Sequence, residues 1–450
     1  MRLLGVIIGL YFFGNTFADL SGVQALRHLF PLSLIYGFFY FFPEKGGRIY
    51  WPKVYNRFQV LVLAGFLGVI LYSYMRTNAE EASMTGFLNI AFQRVMFALV
   101  LYGGLTKSFQ DVKSWKDFSS RFHSALFVLY VSGGFVVVFA LICFFLGIEI
   151  PNHEPIPEED LTPSMLASLL GLDFGRTGFV LGGHPNGFGV FLGCMALFSI
   201  ALLMGEELRK KQKWLVIAIL SACIFAVLVI DSRGTLGNIV FTLGIILAYK
   251  KFRLRWLLPF VFLGIPIIAF SISTVLKAFA QTELASGLSR SGEEDELATG
   301  NSRSFIWNEC LKEMSEFKEA QIFGYGQQGH LPSGVAKAYG VYLGRLVYTH
   351  SFYFQLFFDA GYAGLFLMFG MLFLCLRNGI VLEKVNITSG AIFIVFAICF
   401  PFAGIFEAPY GEYNSLCTAL CDIIFCFSVF SYNLYLRYKV EEYNSLAGSM

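Results

Sequence analysis

The sequence contains many separate apolar runs of roughly 16 to 27 residues, each long enough to cross the hydrocarbon core of a bilayer as a helix. Hydrophobic residues make up 56% of the chain and charged residues only 14%, whereas an ordinary soluble chain has about 25% charged residues. The runs are continuous, while the strands of a membrane barrel would alternate apolar and polar residues. The sequence therefore predicts an all-α fold, a polytopic membrane helical bundle.

The apolar runs predict about twelve transmembrane helices. They lie near residues 3–18, 28–43, 57–75, 87–106, 124–148, 187–204, 214–231, 234–249, 255–275, 351–376, 388–406 and 414–436. We treat residues 1–450 as a single integral membrane domain with two long connections, residues 149–186 and residues 276–350. The second connection is expected to contain short helices, because residues 304–318 carry apolar side chains at helical spacing.

Basic residues are concentrated in alternate connections between the predicted spans. They are Lys45, Arg48, Lys53 and Arg57; Lys107, Lys113, Lys116 and Arg121; Arg209, Lys210, Lys211 and Lys213; and Lys250, Lys251, Arg253 and Arg255. Because cytoplasmic loops carry an excess of Lys and Arg, we expect these connections and both termini in the cytoplasm and the two long loops outside it. The formal net charge of +2 leaves no broad basic field for nucleic acid.

Two arginines lie at the margin of the predicted bundle, where a charged side chain is energetically costly and is therefore a functional candidate. Arg233 is in a short turn between two predicted spans, and its planar guanidinium suits a phosphate at the outer mouth of the bundle. The alternative is a turn arginine paired with Asp231. Arg303 precedes the predicted loop helix, whose N-terminal amides also attract anions. The alternative there is a surface arginine that balances nearby acidic residues.

Further polar candidates flank the sixth and tenth predicted spans. His350 follows the long outer loop, where a neutral imidazole can take a proton from a hydroxyl as a general base; the alternative is an interfacial histidine that only reaches toward water. Arg176, His184 and Asn186 lie in a glycine-rich segment that permits close approach of a ligand. Asn186 either binds a sugar hydroxyl or caps the following helix. Together these residues fit an anionic diphosphate better than a metal ion.

A secondary transporter or a lipid-linked oligosaccharide flippase would also have about twelve spans, but it would hold ionisable residues near the bilayer midplane, often in broken helices. Among the ionisable residues we expect only Arg94 to lie within a span. A purely structural scaffold would leave the outer arginines and histidines without a role. The sequence therefore favours an enzyme over both alternatives.

A series of short motifs runs in order through roughly residues 170–370 and resembles the bacterial O-antigen ligase and O-antigen polymerase superfamily of multi-span glycosyltransferases. The motifs are Gly-Arg-Thr-Gly and His-Pro-Asn-Gly within residues 175–187, Asp-Ser-Arg-Gly at 231–234, Ser-Arg-x-x-x-Trp at 302–307, Phe-Gly-Tyr-Gly at 323–326, Thr-His-Ser-x-x-Phe-Gln at 349–355 and Asp-Ala-Gly-Tyr-Ala-Gly at 359–364. The family commonly has His-Asn where this chain has His350-Ser351.

The resemblance implies an enzyme that takes a glycan carried on undecaprenyl diphosphate and transfers it to a hydroxyl of an acceptor glycan, on the outer face of the bacterial cytoplasmic (inner) membrane. It implies that Arg233 and Arg303 hold the donor diphosphate and that His350 activates the acceptor hydroxyl for inverting attack on the anomeric carbon. We add Arg176 as a second phosphate or sugar ligand, with His184 and Asn186 as further substrate-binding candidates. No metal, nucleotide sugar or other cofactor is expected.

Polymerases and ligases of this superfamily differ in their acceptor. A polymerase extends another lipid-linked repeat unit, whereas a ligase transfers the glycan to the lipid A core of lipopolysaccharide. We favour a polymerase of O-antigen, capsule or exopolysaccharide because the outer loop of residues 276–350 is long and the chain is rich in Phe, with 51 residues. A ligase stays the alternative. Besides the donor, the acceptor and membrane lipids, a chain-length regulator is a candidate partner.

Overall fold

The computed structural model of this chain describes residues 2–21, 28–42, 53–76, 84–112, 114–148, 185–205, 208–230, 232–252, 254, 256–280, 303–343, 348–411 and 415–447. Within these ranges every regular element is a helix, as the sequence predicts. A helix satisfies its own backbone hydrogen bonds, which explains why segments surrounded by lipid adopt it.

The α-helices are numbered here in chain order. They are α1 (Arg2–Ser21), α2 (Leu29–Phe41), α3 (Arg57–Arg76), α4 (Met84–Ser108), α5 (Trp115–Phe145), α6 (Pro185–Leu203), α7 (Lys210–Ile230), α8 (Arg233–Lys251), α9 (Leu257–Phe270), α10 (Ile272–Ala280), α11 (Arg303–Ser315), α12 (Val335–Leu343), α13 (Phe352–Lys384), α14 (Ala391–Ala403) and α15 (Ser415–Ala447). Short 3-10 helices lie at Glu319–Ile322 and Thr388–Gly390.

Each predicted span overlaps a helix, but the count of twelve membrane crossings stays a prediction. Among the described residues, 5 helices are long and apolar enough to cross a bilayer. They contain Trp115–Phe145, Asn186–Leu203, Lys210–Ile230, Phe352–Lys384 and Leu416–Val440. Shorter apolar helices of 10–17 residues account for several of the other predicted spans. The fold is thus an all-helical membrane bundle whose number of crossings is open.

The predicted span at residues 255–275 is wrong in one respect, because two helices occupy it. Helix α9 ends at Phe270, and α10 begins at Ile272 and continues to Ala280, into the region predicted as outer loop. Between them the amide of Ser271 still donates to the carbonyls of Ile267 and Ile268, 3.1 Å from each. Hydropathy alone does not detect this interruption, since both helices are apolar.

The two long loops differ in how much of them the structure describes. Of the predicted loop 149–186 the structure describes only residues 185 and 186, which are the first two residues of α6. In residues 276–350 the structure describes α11, α12 and one 3-10 helix. The prediction of short helices in the second loop therefore agrees with the structure.

Helix α14 lies at the centre of the bundle. It packs against α6, α8 and α13, and nearly all its side chains are buried. Such a helix must be apolar on every side, which explains why Ala391–Ala403 consists of Ile, Phe, Val, Ala and Cys with a single Pro at position 401.

One ion pair shows that charges lie deeper in the bundle than the sequence analysis expected. Arg94 of α4 forms a buried ion pair with Asp422 of α15, with 3.4 Å between Nε and Oδ2. Tyr410 Oη accepts from Arg94 at 3.1 Å and donates to Asp422 at 3.3 Å. The expectation that only Arg94 lies within a span is therefore wrong. It arose because Asp422 sits in a long apolar sequence, where a single acidic residue barely changes the mean hydropathy.

The ends of α8, α13 and α14 define the two ends of the bundle. Lys250 near the end of α8 forms an ion pair of 3.1 Å with Glu383 near the end of α13. The starts of these two helices, Arg233 and Phe352, therefore lie toward the opposite end. There the amide of Phe352 donates to the carbonyl of Gly404, just after α14, at 2.9 Å. We call this second end the site end; the sequence predicts that it is extracytoplasmic.

Candidate functional site

The turn that carries His350 has an unusual backbone conformation. His350 has φ +50°, in the left-handed region that a residue with a Cβ seldom adopts. Both neighbours of His350 are anchored. Trp307 Nε1 of α11 donates to the carbonyl of Thr349 at 3.1 Å, and Ser351 Oγ donates to the carbonyl of Gly404 at 3.2 Å. The conformation is thus imposed by contacts from two distant parts of the chain.

Arg303, the first residue of α11, is held by the segment that follows α14. Its Nη1 donates to the carbonyl of Phe406 at 2.6 Å, and its Nη2 donates to Oε1 of Glu407 at 2.9 Å. The side chains of Arg303 and Glu407 are 17% and 10% exposed, so solvent screens the ion pair only in part. These bonds fix the guanidinium in one orientation and leave it partly accessible to a ligand.

Glu407 connects Arg303 to residues 348–351, which we call the histidine turn. Its second oxygen, Oε2, accepts a hydrogen bond of 3.2 Å from Tyr348 Oη. The Tyr348 ring contacts the imidazole of His350, with 4.0 Å between the ring centroids. The structure therefore brings together Arg303 and His350, two residues that the sequence analysis selected separately, through Glu407 and Tyr348.

Sequence reasoning missed Glu407. The residue lies in the connection between the last two predicted spans, in Phe-Glu-Ala-Pro-Tyr. An ionisable residue at the margin of an apolar segment is a functional candidate by the same argument that selected Arg233. That argument would have identified Glu407, but its partner Arg303 lies far away in the sequence and was not predictable from spacing.

Arg233 lies at the site end as the first residue of α8. One turn further along α8, Asn238 Nδ2 donates to Cys399 Sγ of α14 at 3.0 Å. Since α14 then runs on to Gly404, Arg233 and Gly404 both lie about 7 Å beyond this contact along their helix axes. Arg233 is thus on the same side of the bundle as Arg303 and His350. That the two arginines bind one diphosphate remains a proposal.

The structure describes the glycine-rich segment only from residue 185 onward. Arg176 and His184 lie outside the described residues, so their predicted roles stay predictions. Asn186 is the second residue of α6, inside the first turn and not at the preceding cap position that the alternative interpretation assigned to it. Helix α6 starts beside α8, because a Cβ on Gly189 would lie 3.0 Å from Ser232 Oγ. Asn186 therefore belongs to the site end.

Helix α13 is broken at Gly361, and a loop fills the break. Gly361 has φ +69° and ψ −166°, a combination open essentially to glycine alone. Residues 319–334, which we call the loop insert, supply the missing donors: the amide of Tyr325 donates to the carbonyl of Phe358 at 2.7 Å, and that of Gly326 to the carbonyl of Asp359 at 3.2 Å. The Phe-Gly-Tyr-Gly and Asp-Ala-Gly motifs are thus two halves of one backbone junction.

A buried polar network lies between the loop insert and the histidine turn. Gln355 Nε2 lies 2.9 Å from Asp359 Oδ1 and 3.2 Å from His330 Nδ1. Its oxygen, Oε1, accepts from the Thr349 amide at 3.4 Å. Burial lowers the pKa of His330 to about 4, so its imidazole is neutral near pH 7. The sequence analysis quoted Gln355 only as part of a motif and gave it no role, and it did not single out His330, because a buried polar side chain has no distinctive spacing in the sequence.

No cluster of three or more His, Cys, Asp or Glu suited to a metal ion occurs within the part of the chain that the structure describes. The prediction that the reaction needs no metal is a separate matter and requires an assay.

One protein-family model matches a segment that includes much of the candidate site. A family model described as O-antigen ligase matches residues 216–369. The matched range contains Arg233, Arg303, His350, the loop insert and the break in α13, whereas Glu407 lies beyond it. Neither the curated proteins nor the solved structures give a significant match to the chain.

Proposed function

We propose that this chain is a glycosyltransferase of the O-antigen ligase and polymerase superfamily, and that its donor is a glycan carried on undecaprenyl diphosphate. The match of the O-antigen ligase family model to residues 216–369 supports the proposal. The acceptor is the hydroxyl of another lipid-linked repeat unit, so the reaction is the polymerisation of O-antigen, capsule or exopolysaccharide. The reaction takes place at the site end, on the outer face of the bacterial inner membrane, with both termini in the cytoplasm.

One observation supports this proposal above the others. The carboxylate of Glu407 binds Arg303 at 2.9 Å and Tyr348 at 3.2 Å, and Tyr348 in turn contacts the imidazole of His350. An anion-binding group and a proton acceptor are thus held at one site. Transfer from a diphosphate donor needs both groups, one at the leaving group and one at the attacking hydroxyl.

In the proposed reaction the acceptor oxygen attacks the anomeric carbon from the face opposite the diphosphate. The new carbon–oxygen bond forms as the bond to the diphosphate oxygen breaks, and the hydroxyl proton passes to the imidazole of His350. Attack from the opposite face inverts the anomeric configuration. No electron carrier is involved, and the leaving group departs as undecaprenyl diphosphate.

In this scheme the two guanidinium groups stabilise the departing diphosphate. Negative charge grows on the diphosphate as the bond breaks, so Arg233 and Arg303 stabilise the transition state more than the bound donor. A guanidinium fork also matches two phosphate oxygens at once. The bonds from Arg303 to Phe406 and Glu407 orient this fork before the donor arrives. Arg176, His184 and Asn186 are proposed to bind further phosphate or sugar oxygens.

The family match to residues 216–369 favours an enzyme over a transporter. Asp422 gives the bundle a buried ion pair with Arg94, and α13 is broken, two features that the sequence analysis associated with transporters. In this chain, however, the loop insert binds the carbonyls at the break, so they are not presented to a transported solute.

The test is incubation of the purified protein with its undecaprenyl diphosphate-linked repeat unit, with and without lipid A core, in a buffer that contains EDTA. We expect ladders of longer lipid-linked glycan from the repeat unit alone. Product that forms only when lipid A core is added would identify a ligase, the function that the description of the family names. Absence of any glycan transfer under both conditions, with activity restored by Mg²⁺, would contradict the metal-independent reaction.

A further inference from the structure

The Gln355 side chain connects the histidine turn to the first part of α13 by hydrogen bonds. It is buried, with 1% of its surface exposed. Its Oε1 accepts from the Thr349 amide at 3.4 Å and lies 3.3 Å from Thr349 Oγ1. Thr349 directly precedes His350, so the position of this amide bears on the strained residue itself.

The other end of the Gln355 side chain faces two acceptors. Its Nε2 lies 2.9 Å from Asp359 Oδ1, which also accepts from the Gly329 amide at 2.8 Å. The second acceptor is Nδ1 of His330, at 3.2 Å. The two amide protons of glutamine match these two acceptors, since an amide nitrogen only donates. An inverted amide would set its oxygen against the Asp359 carboxylate, so the orientation of Gln355 is fixed.

Through these hydrogen bonds the loop insert fixes the position of the histidine turn. Gly329 and His330 belong to the loop insert, and Asp359 marks the break in α13. Gln355 joins them to Thr349, while Trp307 and Ser351 hold the turn from other directions. A left-handed conformation at a residue with a Cβ persists only where the surroundings over-determine it, and Gln355 supplies the contact on the α13 side.

We propose that Gln355 is a positioning residue for the transfer reaction. By its bonds to Thr349, Asp359 and His330 it holds the backbone at His350 left-handed, and it thereby directs the imidazole toward the acceptor hydroxyl. The inference rests on the proposed function, in which His350 is the base. It does not require that Gln355 touch either substrate.

The test compares Gln355→Leu with a matched control in the same helix, Tyr353→Phe. Tyr353 is also buried and donates one hydrogen bond to the carbonyl of Pro401 at 2.8 Å, but it takes no part in the network. Both variants lose buried hydrogen bonding in the first turns of α13. Purified protein of each variant would be assayed for glycan transfer as a function of donor concentration and pH.

For Gln355→Leu we expect kcat to fall about tenfold to a hundredfold, because a displaced catalytic group of this kind costs up to about that much. The KM for the donor should stay within about twofold of the wild-type value. The acid limb of the kcat/KM profile should move, since it reports the base of the free enzyme and its surroundings. Tyr353→Phe should leave the acid limb in place.

A second pair of variants keeps the test decisive if Gln355→Leu does not fold. Thr349→Val removes the hydroxyl that lies 3.3 Å from Gln355 Oε1 and that also donates to the Ser351 carbonyl at 3.0 Å. Thr349→Ser retains this hydroxyl. We expect a smaller fall in kcat and a displaced acid limb for Thr349→Val, with both restored in Thr349→Ser. An unchanged kcat, or a lower kcat with the acid limb in place, would overturn the positioning role.

The proposed function can fail independently. Full activity of His350→Ala would remove His350 as the base, whatever the Gln355 variants show. An inactive His350→Ala together with a wild-type Gln355→Leu would overturn only the inference about Gln355.

Discussion

Nη2 of Arg303 donates a hydrogen bond to Oε1 of Glu407 at 2.9 Å, between the first residue of a loop helix and a connection between two apolar segments. The same carboxylate accepts a hydrogen bond from Tyr348. One acidic side chain therefore holds both the guanidinium of Arg303 and the tyrosine that contacts His350. Glu407 also neutralises part of the charge that Arg303 would offer to a diphosphate. Its role is therefore better described as orienting the guanidinium than as strengthening the binding of an anion.

Replacing Glu407 tests this orienting role. In Glu407→Ala, Arg303 and Tyr348 both lose their carboxylate acceptor, and Arg303 keeps only its bond to the Phe406 carbonyl. We expect kcat for glycan transfer to fall about a hundredfold because one bond no longer fixes the orientation of the guanidinium. Glu407→Gln retains an acceptor oxygen and should lose less. Initial rates of chain extension by the purified variants would measure both effects. Wild-type rates in Glu407→Ala would contradict an orienting role.

Arg233 and Arg303 are expected to be essential for transfer. Removal of either guanidinium by substitution with Ala should reduce kcat about a hundredfold to a thousandfold, the usual loss when one charge-stabilising donor is removed. Lysine should rescue poorly, since an ammonium lacks the planar fork. Lys312 offers a matched control in α11, because its side chain is 72% exposed, and Lys312→Ala should keep its activity. Normal polymer from both arginine-to-alanine variants would remove the proposed diphosphate site.

His330 should make the protein sensitive to acid. Burial lowers its folded-state pKa to about 4, below the ordinary value of about 6.5. The unfolded chain therefore binds more protons between these values, and the free energy of unfolding falls as the pH drops from about 6.5 to about 4, by at most about 3 kcal/mol. The stabilisation is fully present above pH 6.5.

The measurement for this prediction is the thermal midpoint in detergent across that pH window, for the wild type and for His330→Asn. Asparagine retains an acceptor oxygen but does not titrate, so the variant should lose less stability on acidification. Equal losses in both proteins would show that other groups cause the acid sensitivity.

Helical spans were predictable in this chain, but the site was predictable only in parts. Hydropathy located the helices because burial in lipid leaves the backbone no alternative to helix formation. The loop helix was also predictable, over residues 304–318, from the helical spacing of Trp307 and Leu311. In the structure it spans Arg303–Ser315. The pairing of Arg303 with Glu407 was not predictable, because it depends on the packing of α11 against a connection remote in the sequence.

The break in α13 shows a second limit of sequence reasoning. Phe352 to Phe358 and the residues after Gly361 form one apolar run, so hydropathy predicts a continuous helix. The helix breaks because the loop insert supplies amide donors to its carbonyls, a tertiary contact that no local pattern encodes. The glycines of both motifs were visible, but only the structure shows that they meet.

Substitution of Gly361 should prevent the junction from forming. A Cβ there would overlap the carbonyls of Gln321 and Ile322, and the backbone conformation alone should cost Gly361→Ala about 1 to 3 kcal/mol. Gly370 in the same helix is a matched control, because the nearest side chain to a Cβ there is Val62 at 3.6 Å, an ordinary contact. We expect a lower thermal midpoint and loss of activity for Gly361→Ala, and near wild-type values for Gly370→Ala. Similar midpoints for both variants would show that the junction tolerates a side chain.

The central claim, that Arg303 and His350 form one site for glycan transfer, is tested most directly by His350→Ala. Purified variant protein, inserted in membranes as the wild type is, would be incubated with the undecaprenyl diphosphate-linked repeat unit, and the lengths of the glycan products would be measured. We predict that the repeat unit remains unextended over a period in which the wild type forms a ladder. Chain extension by His350→Ala at the wild-type rate would contradict the account.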